Sequence, residues 1–455
     1  MERHIETYLS DWFGDKARKP LILRGARQVG KTWLAKWLGA RIGADLAAVN
    51  LERDPDLAAC FTPNDPREVV ALIEARLRLT ITPGKTLLFL DEIQAAPQIL
   101  AKLRWFAEEL PSLAVMAAGS LLDFVLADPS FAMPVGRITY AHLEPMTFLE
   151  FLRAVGEARL CDAIAGCSLT RPIAPVLHDR LMELVRTYCL VGGMPAAVAA
   201  WVESRSLVRV EALHRDLLQT MRDDFARYKR GVNTAQVSKV WSALPRLVGR
   251  KFQPSAIDPD EKSLSLKNAF RMLTHARAAT PVQRTAANGI PLGAEVDDRY
   301  QKVCLLDTGL YCTQSGIDAA ITRATHELVF VNQGQLAEQL VGQELRALRP
   351  VNQEPTLFTW VRATKNSNAE VDYVFQVSER IVPIEVKAGA AGSLRSLHVM
   401  VQEKKLDLGV RISSEPAQMR TVTTALPIGE PRAFRLLSIP FYLISELPRW
   451  LASLT

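Results

Sequence analysis

The chain has little with which to cross-link itself or to cross a membrane. Six cysteines stand scattered at positions 60, 161, 167, 189, 304 and 312, without a C-x-x-C pair. That pattern excludes a zinc ribbon and a disulfide framework and leaves reduced thiols as the expectation. No charge-free apolar run approaches the roughly eighteen residues a membrane span needs. The opening Met1-Glu2-Arg3-His4-Ile5-Glu6 alternates charge and carries no apolar signal core, so the expected location is the cytoplasm. Internal repeats, low-complexity tracts, His/Cys clusters and a Ser-His-Asp set are all missing. Hydrophobic residues at 48% and charged residues at 23% describe a folded chain, and 455 residues make two or three domains the natural expectation.

Against that background one stretch stands out. Gly25-Ala26-Arg27-Gln28-Val29-Gly30-Lys31-Thr32 is a complete G-x-x-x-x-G-K-T phosphate loop. Pro20-Leu21-Ile22-Leu23-Arg24 ahead of it reads as a buried strand, and Trp33-Leu34-Ala35-Lys36-Trp37-Leu38 after it as a helix start. A glycine-rich turn in that position aims backbone N–H groups and the positive end of the helix at a polyphosphate. Lys31 is placed to neutralise the β- and γ-phosphates, and the Thr32 hydroxyl to take a Mg²⁺ position. The loop from Gly25 to Trp33 is therefore the expected ATP cradle.

Residues 20 to about 155 alternate strand and helix signals, with continuous apolar strands at 46–51, 86–91 and 113–118. Such strands mean a parallel sheet covered on both faces. Leu87-Leu88-Phe89-Leu90-Asp91-Glu92 ends in two carboxylates, the form of a Walker B strand. Asp91 is expected to hold Mg²⁺ through water and Glu92 to polarise the attacking water; adjacent acids also occur as plain strand terminators. Ser120 after the next strand reads either as a γ-phosphate sensor or as a helix N-cap. Arg137 reads either as an arginine finger, in its own or a neighbouring subunit, or as half of an ion pair.

From about 157 to 232 the pattern is helical, broken at Val191-Gly192-Gly193-Met194-Pro195. Residues 233–328 hold two helix-like segments and an alternating stretch, a winged-helix-like succession. The net charge of +6 is uneven: between Lys239 and Arg284 nine basic residues face three acids, which suits a phosphate backbone or a solvated helical face alike. A last unit, 329–455, carries Glu338 on its opening helix, then Glu370 and Asp372 on one strand face, then Glu385 and Lys387 on the next strand. A hairpin would set Asp372 beside Glu385, close enough to share a divalent cation, with Lys387 near a water attacking phosphorus. Alternating charged and apolar residues on an exposed strand give the same letters.

The phosphate loop resembles that of bacterial and archaeal AAA-type ATPases fused to a C-terminal domain of unknown function. Leu90-Asp91-Glu92-Ile93-Gln94, Ala118-Gly119-Ser120-Leu121-Leu122, Pro134-Val135-Gly136-Arg137 and Leu143-Glu144-Pro145-Met146-Thr147-Phe148-Leu149-Glu150-Phe151 are similar to the same family. Gly192-Gly193-Met194-Pro195, the run Lys302–Leu310 and Ile384-Glu385-Val386-Lys387-Ala388-Gly389 extend the likeness. The resemblance implies an α/β architecture: a P-loop AAA-type parallel sheet at 1–156, a helical and winged-helix-like middle, and a restriction-endonuclease-like C-terminal domain. There the D…E-x-K order of Asp372, Glu385 and Lys387, with Glu338 as the first-helix acid, resembles a nuclease centre. The function so implied is an ATPase whose nucleotide state controls a DNA-directed, nuclease-like domain. The alternative is an ATP switch whose C-terminal domain only binds a protein or nucleic acid. A small-molecule kinase is disfavoured, since no dedicated acceptor site is recognisable. ATP and Mg²⁺ are the expected ligands, DNA a candidate partner, and a ring-like homo-oligomer an expectation by family analogy.

Overall fold

The computed structural model describes residues 2–120, 122–126, 134, 136–227, 233–317, 334–363, 369–389, 393–424, 426 and 430–454. Five strands form the first sheet: β1 (Leu21–Arg24), β2 (Asp45–Asn50), β3 (Thr86–Asp91), β4 (Ala114–Ala118) and β5 (Thr139–His142). They are all parallel and lie in the order β2-β3-β4-β1-β5. β3 and β4 are buried along their whole length, as strands covered on both faces must be. β4 separates the strand before the phosphate loop from the strand carrying Asp91, so its C-terminal end falls between the two. β5 has no counterpart in the sequence reading; it is four residues long and half-exposed in its first two positions.

The middle is helical, with helices Pro175–Val191, Pro195–Ser204, Leu207–Arg227, Thr234–Leu247 and Ser263–His275. An antiparallel hairpin follows, β6 (Ala279–Thr285) and β7 (Val296–Leu305). That hairpin does not stand alone. β6 pairs in parallel with β8 (Leu357–Val361), which continues through β9 (Glu370–Val377), β10 (Arg380–Val386), β11 (Leu408–Ser413), β12 (Gln418–Thr423) and β13 (Ala433–Pro440). The resulting eight-stranded mixed sheet runs β12-β13-β11-β10-β9-β8-β6-β7. It therefore spans the boundary expected near 329, a position that itself lies outside the described residues. Among the described residues no helix is long and apolar enough to cross a membrane.

The helix Gly334–Ala347 fastens these layers together. It buries polar side chains, and each finds a partner on another element. Gln339 accepts from Leu305 N–H at 2.7 Å and donates to Leu305 O at 2.9 Å. Gln343 accepts from Thr308 N–H at 2.8 Å and donates to the Tyr188 hydroxyl at 2.8 Å. Glu344 accepts from Phe148 N–H at 3.0 Å, the first turn of the helix Phe148–Ala154. Arg346 donates to Leu305 O and Leu306 O, and its Nε lies 3.0 Å from Glu144.

Close backbone approach explains the glycine pair that interrupts the helical run. A Cβ on Gly193 would lie 2.1 Å from Met146 O, and one on Gly192, whose φ is +69°, would lie 2.1 Å from the Asp307 carboxylate. Asp307 is wholly buried, accepts from Gly193 N–H at 2.6 Å, and caps the helix Thr308–Gln314 through Leu310 N–H.

Burial pushes the Glu344 carboxyl up to about 7, although Phe148 N–H and Tyr188 oppose the rise. Between its ordinary value and about 7 the folded chain binds more protons than the unfolded one, so this group's stabilisation is lost as pH rises through that window. Glu344→Gln keeps an acceptor for Phe148 and does not titrate. Its stability relative to the parent is expected to improve by about 1–3 kcal/mol between pH 5 and pH 8, read from denaturant midpoints. A constant difference across that range would refute the assignment.

Candidate functional site

The phosphate loop leaves β1 through Gly25, where a Cβ would stand 2.5 Å from Leu143 O. Gln28 at φ +64° and Gly30 at φ +100° then turn the chain, so that the helix Lys31–Ile42 begins with its N-terminus at the loop. Gly30 is the N-cap and has no side chain to satisfy the first-turn N–H groups. Those donors are thus available to an anion. Lys31 is buried and folds back over the loop, donating to Gly25 O at 2.9 Å and Ala26 O at 2.8 Å. Burial lowers its pKa to about 8, with Glu92 opposing the fall. Trp33, in the same first turn, is exposed.

The end of β3 meets this loop. Thr32 Oγ1 donates to the Asp91 carboxylate at 3.1 Å, and Asn50 Nδ2 lies 3.4 Å from it. Burial, then the neighbouring Glu92, raises the Asp91 pKa. Hydroxyl and carboxylate are the hard oxygen donors that suit Mg²⁺. Glu92 sits at φ +52° just past the strand. Its Oε2 accepts from Gln94 Nε2 at 2.5 Å and from Ser120 Oγ at 3.4 Å. Of the two readings open for Ser120, the structure puts its hydroxyl beside Glu92 at the end of β4. Gly119 makes room for this group, since a Cβ there would lie 2.0 Å from Gln94 Oε1.

Arg137 is elsewhere. It precedes Thr139, which pairs with Leu21 at the opposite end of the sheet from the loop, and its Nε lies 2.6 Å from Glu108 Oε1. The ion-pair reading describes it within one chain. Val135 of the same string lies outside the described residues.

Four arginines near the loop pair with residues distant in the chain, and of these Arg3 escaped the sequence reading altogether. Buried Arg3 donates to Val29 O at 3.0 Å and Glu144 O at 2.6 Å, while its Nε bonds Glu150 at 3.1 Å. Arg27 pairs with Asp224 on the helix Leu207–Arg227. Arg277, which follows the helix Ser263–His275, pairs with Asp123, as does Arg24 at the end of β1. Arg277 also reaches Glu354 at 3.3 Å, and its charge is one of the influences that depress Lys31.

The C-terminal acids gather around a side chain that the sequence reading did not select. Lys302 of β7, buried, lies 3.0 Å from Glu338, 2.9 Å from Glu370 and 3.8 Å from Asp372. Against burial, which pulls its pKa down, Glu338, Asp372 and Glu370 hold Lys302 well above its usual value. Asp372 and Glu385 each lie one residue beyond the last cross-strand pair of β9 and β10, Tyr373 with Ile384. Asp372 accepts from Val386 N–H at 2.7 Å, and Lys387 donates to Glu385 Oε1 at 2.8 Å. Burial raises Glu338 to about 8 and Glu385 to about 7. Among the described residues no three Asp, Glu, His or Cys side chains are set to hold a metal ion. The cation amid Glu338 and Asp372 is the Lys302 ammonium.

Of the nine basic residues between 239 and 284, three form ion pairs with described acids, Lys239 with Asp258, Arg277 with Asp123 and Arg284 with Asp297, and Lys251 lies over the Tyr300 ring. Arg246, Arg250, Lys251, Lys262, Lys267 and Arg271 are exposed.

Comparison with known proteins agrees with this geometry at the N-terminal end. Residues 17–152 match the AAA domain family, residues 182–320 match a domain of unknown function (DUF8612), and residues 333–431 match another (DUF4143). The first unit is thus a P-loop domain of the AAA type. Among solved structures, a Walker-type ATPase of Pyrococcus abyssi aligns with a TM-score of 0.44 at 12% identity, covering 69% of this chain and 95% of that one. The RuvB Holliday junction branch migration motor of Thermotoga maritima aligns with a TM-score of 0.30 at 13% identity, covering 62% and 89%. No curated protein matches the chain.

Arg3 bonds the backbone of the loop itself, so its removal should loosen the cradle. Arg3→Ala is expected to weaken binding of a fluorescent ATP analogue about tenfold, equivalent to about 1.4 kcal/mol. An unchanged affinity in a folded variant would refute this positioning.

Proposed function

We propose that the chain binds and hydrolyses ATP and that its nucleotide state acts on the C-terminal carboxylate unit. The observation that carries this is the convergence of Lys31, Thr32, Asp91, Glu92 and Ser120 at one end of the first sheet. Lys31 leaves its loop carbonyls for the β- and γ-phosphates; Thr32 and Asp91 hold Mg²⁺, which draws charge from the phosphoryl oxygens when bound. Glu92, positioned by Gln94 and Ser120, accepts a proton from the attacking water. Arg137, half-exposed on the far edge of the sheet, is available to the ATP of a neighbouring copy in a homo-oligomer. Asp123 supports the coupling: three residues after Ser120 in the chain, it holds Arg277 of the middle unit, which in turn reaches Glu354.

The C-terminal unit supports a nuclease-like reading through its element order. A helix, three antiparallel strands, a second helix (Arg395–Glu403) and a strand parallel to the third succeed one another, with Asp372, Glu385 and Lys387 at adjacent strand ends. The exposed basic residues of the middle unit suit a DNA backbone. The second reading, a switch whose C-terminal unit only binds a partner, is favoured by the ammonium among the acids.

Glu92→Gln is expected to retain ATP binding and to lose hydrolysis at least a hundredfold, whereas Lys31→Ala loses both. Turnover by Lys31→Ala above background would contradict the ATP step. Mn²⁺-dependent cleavage of single- or double-stranded DNA that disappears in Lys387→Ala would establish the nuclease; no cleavage with or without ATP would leave the binding switch.

A further inference from the structure

We infer that Lys302 is a tethered counter-ion that closes the C-terminal carboxylate site, and that a divalent cation enters only as Lys302 withdraws. The inference rests on the reading of Asp372 and Glu385 as ligands for a hard cation. Four carboxylates, Glu338, Glu370, Asp372 and Glu385, share this buried region with two ammonium groups, Lys302 and Lys387. Without the Lys302 ammonium, Glu338, Glu370 and Asp372 would lie together with the charge that a divalent cation offsets. Glu385 is 5% exposed, and its Oε2 has no hydrogen-bond partner among the described residues. An unpartnered carboxylate oxygen at that depth is costly unless a cation or a proton meets it.

Lys302 and a divalent ion exclude each other. The ammonium draws Glu338 and Glu370 to hydrogen-bond distance, 3.0 and 2.9 Å. Mg²⁺ needs oxygens at about 2.0–2.1 Å and repels a positive charge only a few ångströms away.

The plug and the acids come from different parts of the chain. Lys302 lies on β7 in the middle unit, and Tyr300, two residues earlier on the same strand face, donates to Glu370 Oε2 at 2.7 Å. Gly249 lets the neighbouring backbone close over Glu338: its φ is +69°, and a Cβ there would lie 2.6 Å from Glu338 Oε2. A cleft of about 830 Å³, lined in part by Arg246, Arg250 and Gln335, reaches Glu338 and gives an ion a way in. The hairpin that carries Lys302 begins two residues after Arg277, the arginine held by Asp123 near the phosphate loop. The lock therefore hangs from the element that touches the nucleotide end.

The test is Mn²⁺ binding to the full chain without nucleotide, read as loss of the free-ion electron paramagnetic resonance signal. Lys302→Met is expected to bind Mn²⁺ at least tenfold more tightly than the parent, and Lys302→Arg to bind like the parent. The gain should vanish in Lys302→Met combined with Asp372→Asn. A folded Lys302→Met no tighter than the parent overturns the inference. A gain that survives Asp372→Asn and Glu385→Gln instead overturns the reading of these acids as ligands. If Lys302→Met does not fold, Glu370→Gln removes one anchor of the ammonium: threefold tighter binding supports the lock, and unchanged binding overturns it.

Discussion

The buried polar face of the helix Gly334–Ala347 is the constraint on which the rest of the molecule hangs. Gln339, Gln343, Glu344 and Arg346 are almost fully enclosed, and each is costly to bury without a partner. Their partners lie on the first unit at Glu144 and Phe148, and on the middle unit at Tyr188, Leu305, Leu306 and Thr308. Taking the C-terminal unit away would orphan groups on both of the others. The units are therefore joined by specific polar contacts as well as by the apolar core that runs through them.

This join gives the nucleotide site a physical path outward. Glu144 and Glu150 belong to the segment just after β5, and Arg3 ties that segment to Val29 in the phosphate loop. Glu144 then meets Arg346. On the other side of the loop, Asp123 links Arg24 to Arg277 and so to the hairpin bearing Lys302. One route of charge thus runs from the ATP cradle to the helix Gly334–Ala347 and another to Arg277 ahead of the β6–β7 hairpin, and both use residues outside the phosphate loop itself.

How much of this the sequence disclosed follows from how local each constraint is. The phosphate loop and the Asp91-Glu92 strand end were legible because phosphate binding fixes residue types within a few consecutive positions. Strands β1, β3 and β4 were legible because burial on both faces leaves an unbroken apolar run. β5 was missed because four residues, the first two half-exposed, carry no such signal. Gly192-Gly193 and Asp307 looked like signatures, and their meaning is tertiary: two glycines without side chains admit Met146 and the Asp307 carboxylate. Lys302 and Arg3 were invisible as site residues, since nothing near them in the chain betrays the acids or the loop they meet. The β9–β10 hairpin that carries Asp372 and Glu385 was recoverable from strand periodicity; the ammonium that Glu338 and Asp372 face was not.

Hydrogen–deuterium exchange of the full chain, with and without ATP and Mg²⁺, tests the claim that the cradle and the C-terminal unit respond as one. Slower exchange on ATP binding is expected in the loop Gly25–Thr32, at the start of the helix Phe148–Ala154 and along the helix Gly334–Ala347. Protection confined to residues 17–152, with the helix Gly334–Ala347 unchanged, would contradict it.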